Sequence, residues 1–221
     1  MDLLVTGTDT GVGKTVIAAA LVLALRERRV RAIGFKPVET GVGPDEEGDS
    51  DVLAKASGLS ERRAAPLLRL REPLAPAVAA ERARTALSVP DLEQRIHDMR
   101  GLGLSIVVEG AGGLLAPLAW TYTALDLAER MSLEVVIAAR AGLGTLNHVC
   151  LTAEALRARG VRLRGVVLNG RAEPPPLAER TNPDALRRLL PGVQILSVPR
   201  HDTTDPLLCA YASVPLVVSL L

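Results

Sequence analysis

The sequence predicts a single doubly wound α/β domain spanning residues 1–221, with a mostly parallel sheet and helices on both of its faces. Six apolar runs of strand length recur along the chain. Most are continuous rather than alternating, the pattern of strands buried on both faces of a parallel sheet. Helical patterns separate them, and strand–helix alternation marks the doubly wound class. A length of 221 residues, 48% of them hydrophobic, suits one such domain with a sizeable core.

In chain order the strand candidates are LLVT (3–6), RAIGF (31–35), LSIVVE (104–109), EVVIAA (134–139), LRGVVLN (163–169) and VQILSV (193–198). The first helix candidate, 14–28, is rich in Ala and Leu and apolar almost throughout. A second, 90–100, opens on Pro90 and Asp91, a favourable helix start. A third, 145–158, has Gly160 just past its end, where a C-cap glycine belongs. A shorter one covers 183–190, and a short helix follows the DSD of 49–51. The segments 41–50 (GVGPDEEGDS) and 171–176 (RAEPPP) read as loops.

Composition excludes several function classes. A net charge of +1 creates no field that steers the chain to nucleic acid or acidic membranes. Four aromatics, Phe35, Trp120, Tyr122 and Tyr211, are too few for a base-stacking platform. Cys150 and Cys209 lack metal spacing and read as buried free thiols. The N-terminus lacks a signal-peptide pattern, and no apolar run approaches the ~20 residues of a membrane span, so a cytoplasmic location is expected. Against 23 arginines stand three lysines, Lys14, Lys36 and Lys55. A lysine in such a chain points to a position that needs a small ammonium rather than a planar guanidinium.

The first strand runs into GTDTGVGKT (7–15) and then directly into a helix. This is the context of a phosphate cradle, in which backbone N–H groups and the helix dipole face the anion. Here Lys14 would reach the outer phosphates and the Thr15 hydroxyl would bind Mg²⁺. The outer glycine of the usual spacing is replaced by Thr8, but the GVGKT core is intact. The fold expected is therefore of the P-loop NTPase type.

GFKPVETG (34–41) ends the second strand, so Lys36 is expected at the same sheet edge as Lys14. In DSD (49–51), Asp49 and Asp51 are carboxylates of the sort that hold Mg²⁺ beside phosphates. VVEGAGG (107–113) puts Glu109 at the end of a buried strand, where an unpaired carboxylate would be costly, and follows it with three glycines. AGLGTLNH (141–148) offers an anion site at a helix start through Gly144, Thr145 and Asn147, with His148 read as structural. VVLNG (166–170) and SVPRH (197–201) end two further strands, and Asn169 carries an amide able to read an adenine edge.

These motifs, in this order and spanning roughly residues 5–200, resemble dethiobiotin synthetase, the enzyme that closes the ureido ring in biotin synthesis. The matching pieces are VTGTDTGVGKT, GFKPVETG, the SD of GDSD, VVEGAGGLLAPL, GLGTLNH, the LN of VVLNG and the VP of SVPRH. The resemblance implies ATP as co-substrate, Mg²⁺, 7,8-diaminopelargonate and CO₂ as the other reactants, and a homodimer. It implies that Gly11, Val12, Gly13, Lys14, Thr15 and Val16 hold the phosphates, with Gly110, Ala111 and Gly112 beside them. Thr15, Asp51 and Glu109 would bind the metal. Lys36 and Lys14 would be catalytic, and Thr10, Lys36 and Thr40 would meet the substrate. Asn169, Gly170, Pro199, Arg200 and His201 would hold adenine, and Gly144, Thr145 and Asn147 would receive the substrate carboxylate from the partner subunit. Two departures stand out. Ala77 occupies the place of a histidine common in the family, and the tail LCAYASVPLVVSLL matches poorly, so no role is carried onto it.

The alternative is a P-loop ATPase switch or regulator of similar fold without ligase activity. Partitioning and septum-positioning switches carry a signature lysine at the position of Asp9, and its absence counts against them.

Overall fold

A computed structural model describes residues 1–43, 45–58 and 61–221; Pro44, in the middle of the expected loop 41–50, lies outside the described residues. The first half of the chain forms β1 (Leu3–Gly7), α1 (Lys14–Glu27), β2 (Ala32–Phe35), β3 (Val38–Thr40), α2 (Asp49–Ser57), α3 (Glu61–Ala64), β4 (Leu68–Leu70), α4 (Pro76–Arg82) and α5 (Val89–Gly101). The second half forms β5 (Ser105–Gly113), β6 (Pro117–Ala119), β7 (Tyr122–Thr123), α6 (Ala124–Arg130), β8 (Glu134–Arg140), α7 (Thr145–Ala158), β9 (Leu163–Arg171), α8 (Leu177–Leu189), β10 (Gln194–Pro199) and α9 (Pro206–Val217). A 3-10 turn, Val218–Leu220, follows.

The six strands expected from the sequence make one sheet, in the order β10-β9-β8-β1-β5-β2. Every neighbouring pair in it is parallel. Consecutive residues of β1 serve opposite faces, Leu4 packing into one core and Leu3 and Val5 into the other. α5, α6, α7 and α8 cover the first face, and α1, α2 and α9 the second. Because all six strands are parallel, their C-terminal ends share one edge, where ligands of such sheets gather beside the point at which strand order reverses. Here that point is β1, flanked by β5 and β8.

α1 is buried nearly all round because the sheet, α2 and α9 enclose it, as its uniformly apolar sequence demands. α9 is the part of the tail that sequence similarity leaves without a role. It is a core element: Ala210 and Val217 are fully buried, as is Leu220 in the turn that follows. Gly165 in β9 makes room for the tail, since a Cβ there would stand 2.4 Å from the Leu220 side chain. α8 begins six residues before the expected start at 183, so Pro183 stands inside the helix instead of opening it. Two small ribbons, β3 with β4 and β6 with β7, flank the edge that carries the motifs. Among the described residues no helix is long and apolar enough to cross a membrane.

Candidate functional site

The loop after β1 turns through Gly11 (φ 71°) and Gly13 (φ 88°), both in the left-handed region that favours glycine. Gly13 is the N-cap of α1 and no side chain caps that helix, so its first N–H groups are left for an anion. Lys14 is buried and its Nζ donates to the Asp9 carbonyl at 3.1 Å. Burial pulls the Lys14 pKa below the usual lysine range, and the nearby Glu109 carboxylate works against that shift. Within the loop, the Asp9 side chain forms an ion pair with Arg140 at the end of β8.

Lys36 leaves the end of β2 and Glu109 stands in β5, which is paired beside it. The Lys36 ammonium donates to Glu109 Oε1 at 2.9 Å and is also ion-paired with Asp49 at the start of α2. Thr15 Oγ1 donates to the same Glu109 oxygen at 3.0 Å. Glu109 is 1% exposed, and its Oε2 is buried with no hydrogen-bond partner among the described residues. Burial alone would lower the Lys36 pKa, but Glu109 and Asp49 outweigh it and hold the ammonium above the usual lysine range. For Asp49, burial pushes upward and Lys36 outweighs it, so its carboxyl titrates below the usual range. Burial also pushes the Glu109 carboxyl above the usual carboxylate range, with Lys36 working against that shift, so the firmly charged groups of the cluster are Lys36 and Asp49, each the other's partner.

These groups lie at the floor of a cleft of about 710 Å³. Of the residues expected from the sequence, Thr10, Gly11, Gly13, Lys14, Thr15, Val16, Lys36, Thr40, Glu109, Ala111 and Gly112 line it. Val12, in the loop, and Gly110, in β5, are buried and do not line it. The opposite wall is apolar, built from Pro73, Leu74, Ala75 and Pro76 at the start of α4 together with Ala116. Ala77 is buried in α4 and is not part of that wall. Neither this wall nor Pro206, which also borders the cleft, was legible from motifs.

Three of the expected residues are held by partners within the chain. Asp51 is not at the cleft: its Oδ2 accepts from its own helix start at Gly48 N (2.8 Å) and from Arg69 Nη2 (2.5 Å). Successive helical residues are rotated by about 100°, so Asp49 and Asp51 face nearly opposite ways and only one can meet Lys36. Asn169, expected on adenine, donates its Nδ2 to the Val12 carbonyl at 3.1 Å and so braces the phosphate loop. His201 is hydrogen-bonded through Nε2 to Ser213 of α9 at 3.0 Å, which ties the 199–201 segment to the tail helix.

The remaining expected residues lie outside the cleft. Gly170, Pro199 and Arg200 stand at the ends of β9 and β10, on the same sheet edge. Gly144, Thr145 and Asn147 begin α7, where Gly144 is left-handed and the buried Thr145 hydroxyl is unpaired among the described residues. Asn182 of α8 holds the approach to this turn by donating to the carbonyls of Ala141 (2.8 Å) and Gly142 (3.0 Å).

A metal suits this arrangement. The unpaired Glu109 Oε2 beside the Thr15 hydroxyl is a buried carboxylate oxygen that wants a cation, and hard oxygen donors are the ligands Mg²⁺ takes.

Residues 1–207 match the AAA domain family. The ATP-dependent dethiobiotin synthetase BioD of Anaeromyxobacter dehalogenans strain 2CP-1 is 45% identical over 172 residues, covering 76% of this chain and 75% of that protein. The protein of the same name from Bacillus licheniformis is 38% identical over 206 residues, covering 91% and 87%. Among solved structures, the septum site-determining protein MinD of Pyrococcus horikoshii, complexed with Mg-ADP, has a TM-score of 0.60 at 19% identity, covering 100% of this chain and 94% of that one. That likeness is one of fold, and the α/β P-loop architecture is common to both. The sequence relatives go further, and by them the chain belongs to the ATP-dependent dethiobiotin synthetase family.

Proposed function

We propose that this chain closes a ureido ring on 7,8-diaminopelargonate with CO₂ and ATP, as an ATP-dependent ligase of biotin biosynthesis. One amine of the substrate takes up CO₂ and loses a proton to become a carbamate. A carbamate oxygen attacks the γ-phosphorus, ADP leaves, and a carbamic–phosphoric anhydride forms. The second amine then attacks the carbonyl, phosphate leaves, and the ring closes with loss of a proton.

The observation that carries this reading is the meeting of Lys14, Lys36, Asp49 and Glu109 at the floor of one cleft. Carbamate and triphosphate are both anions, so their mutual repulsion is the main obstacle, and fixed positive charge between them is what the site must supply. Lys14 and the loop N–H groups would hold the phosphates, and Lys36 would lie between γ-phosphate and carbamate. Thr15 and Glu109 would hold Mg²⁺, with Asp49 the adjacent carboxylate in place of Asp51. When bound, the metal supplies charge neutralisation across the phosphate oxygens. The apolar wall Leu74–Pro76 suits the alkyl chain of the diamine. Gly144 and Asn147 are exposed and lie outside this chain's own cleft, with Thr145 buried behind them, which supports a homodimer that shares substrate sites. We further propose that the chain works as one domain, in the cytoplasm, with Asn169, Gly170 and Pro199–His201 around the adenine.

The test is an assay for ureido product from diaminopelargonate, bicarbonate and Mg-ATP, with phosphate release followed in parallel. Product and diamine-dependent phosphate release are expected; steady hydrolysis without diamine and without product would favour the switch reading. The same assay decides between the two aspartates. Asp49→Asn is expected to slow turnover at least about tenfold, the scale of losing a charge-assisted bond, and Asp51→Asn to leave it within about threefold. A larger loss at Asp51 would restore it to the metal site.

A further inference from the structure

The phosphate and metal groups leave one fully buried carboxylate without a task. Glu39, in β3, is 1% exposed and lies outside the cleft lining. β3 and β4 are parallel, and their register sets Glu39 against Arg69. Glu39 Oε1 accepts from the backbone N–H of Ser50 at 3.0 Å, while Oε2 accepts from the Ser50 hydroxyl at 2.7 Å and from Arg69 Nε at 3.0 Å. Arg69 Nη2 in turn donates to Ser50 Oγ at 3.0 Å and to Asp51. The helix start presses directly on this carboxylate, because a Cβ at Gly48 would stand 2.4 Å from Glu39 Oε1.

Ser50 is therefore held at both of its polar groups, and it is the residue between the two aspartates. We propose that Glu39 is a positioning residue for the reaction: by gripping Ser50 it fixes the rotation of α2 about its axis, so that Asp49 faces Lys36 and Asp51 faces Arg69. A helix held only by apolar packing at its start could turn by a fraction of a residue, and one residue is worth about 100°. Buried ion pairs add little net stability compared with apolar packing, and their best-attested contribution is to registry. Thr40, the neighbour of Glu39, lines the cleft, so one strand both borders the reactants and orients the acid opposite them.

The inference rests on the reading of Lys36 as the ammonium between the reactants. Its test measures ureido formation by the full-length enzyme carrying Glu39→Ala, Asp49→Asn and both together, with Ser50→Ala as a milder variant should Glu39→Ala fail to fold. Glu39→Ala is expected to lower kcat by about 10- to 100-fold, the cost of a small misplacement at a reacting centre, with the KM for ATP unchanged. The double variant is expected to be no slower than the slower single one, because both act through one contact. Losses that multiply, or a Glu39→Ala kcat within twofold of wild type, overturn the proposal. A second readout needs no turnover. The chain has three lysines, so ¹⁵N-lysine labelling yields three ammonium signals. The Lys36 signal is expected to move in Glu39→Ala and Ser50→Ala; an unmoved Lys36 signal overturns the proposal. A wild-type enzyme that forms no ureido product counts against the reaction assigned to the chain, and the Lys36 signal then decides the Glu39 arrangement alone.

Discussion

Lys36→Ala is expected to lower turnover by at least ~100-fold, the scale of losing one preorganised electrostatic group, while ATP continues to bind. The ammonium is buried and already fixed by Glu109 and Asp49, so it costs no reorganisation when the anions arrive. Removing it changes two things at once. The reacting anions lose the charge between them, and two carboxylates are left facing one another without a lysine. The second effect raises their affinity for protons and for a divalent cation, so metal binding is not the step expected to fail. Lys14 and the loop N–H groups remain, which is why nucleotide affinity is expected to hold. Single-turnover ureido formation, read beside ATP binding and thermal unfolding, separates chemistry from folding. A variant that turns over at the wild-type rate would remove Lys36 from the mechanism. Lys36→Arg is expected to recover little, since a planar guanidinium does not fit a pocket shaped for a small ammonium between two carboxylates.

How much of this was legible in the sequence depends on the range over which each feature is determined. The six sheet strands are continuous apolar runs because both their faces are covered, and that signal is local. The ribbons β3–β4 and β6–β7 consist of strands of two or three residues, too short for any periodicity, yet β3 carries Glu39 and Thr40. α9 carries no charge to give it a polar face and was readable only as an apolar tail. The phosphate loop, Lys36 and Glu109 were legible because strand ends and glycines announce them. Which of Asp49 and Asp51 faces Lys36 was not, because it is set by the phase of α2, and Ser50 in that helix is held by a carboxylate 11 residues away in sequence. Asn169 was identified by its chemistry, but its contact with Val12 spans 157 positions, and no local pattern encodes that.

Gly13→Ala is expected to weaken ATP binding by at least ~100-fold, and the contact with Asn169 explains why it should be worse than the corresponding change at Gly11. Both glycines have positive φ, so alanine at either position incurs the left-handed strain of about 1–2 kcal/mol that L-residues carry there, roughly a tenfold effect. At Gly11 nothing lies within 4 Å of the added Cβ, and strain is the whole of the effect. At Gly13 the Cβ would stand 1.8 Å from Asn169 Nδ2, closer than any packing permits, so the amide must leave and its bond to the Val12 carbonyl is lost. The loop then loses its brace at the residue that caps α1, where the phosphate-binding N–H groups begin. Calorimetric titration with a non-hydrolysable ATP analogue is expected to rank wild type above Gly11→Ala and Gly11→Ala well above Gly13→Ala. Adding Asn169→Ala to Gly13→Ala removes the clash but not the strain, and is expected to recover part of the affinity. Equal losses at the two glycines, with no recovery in the double variant, would mean that Asn169 does not shape the loop.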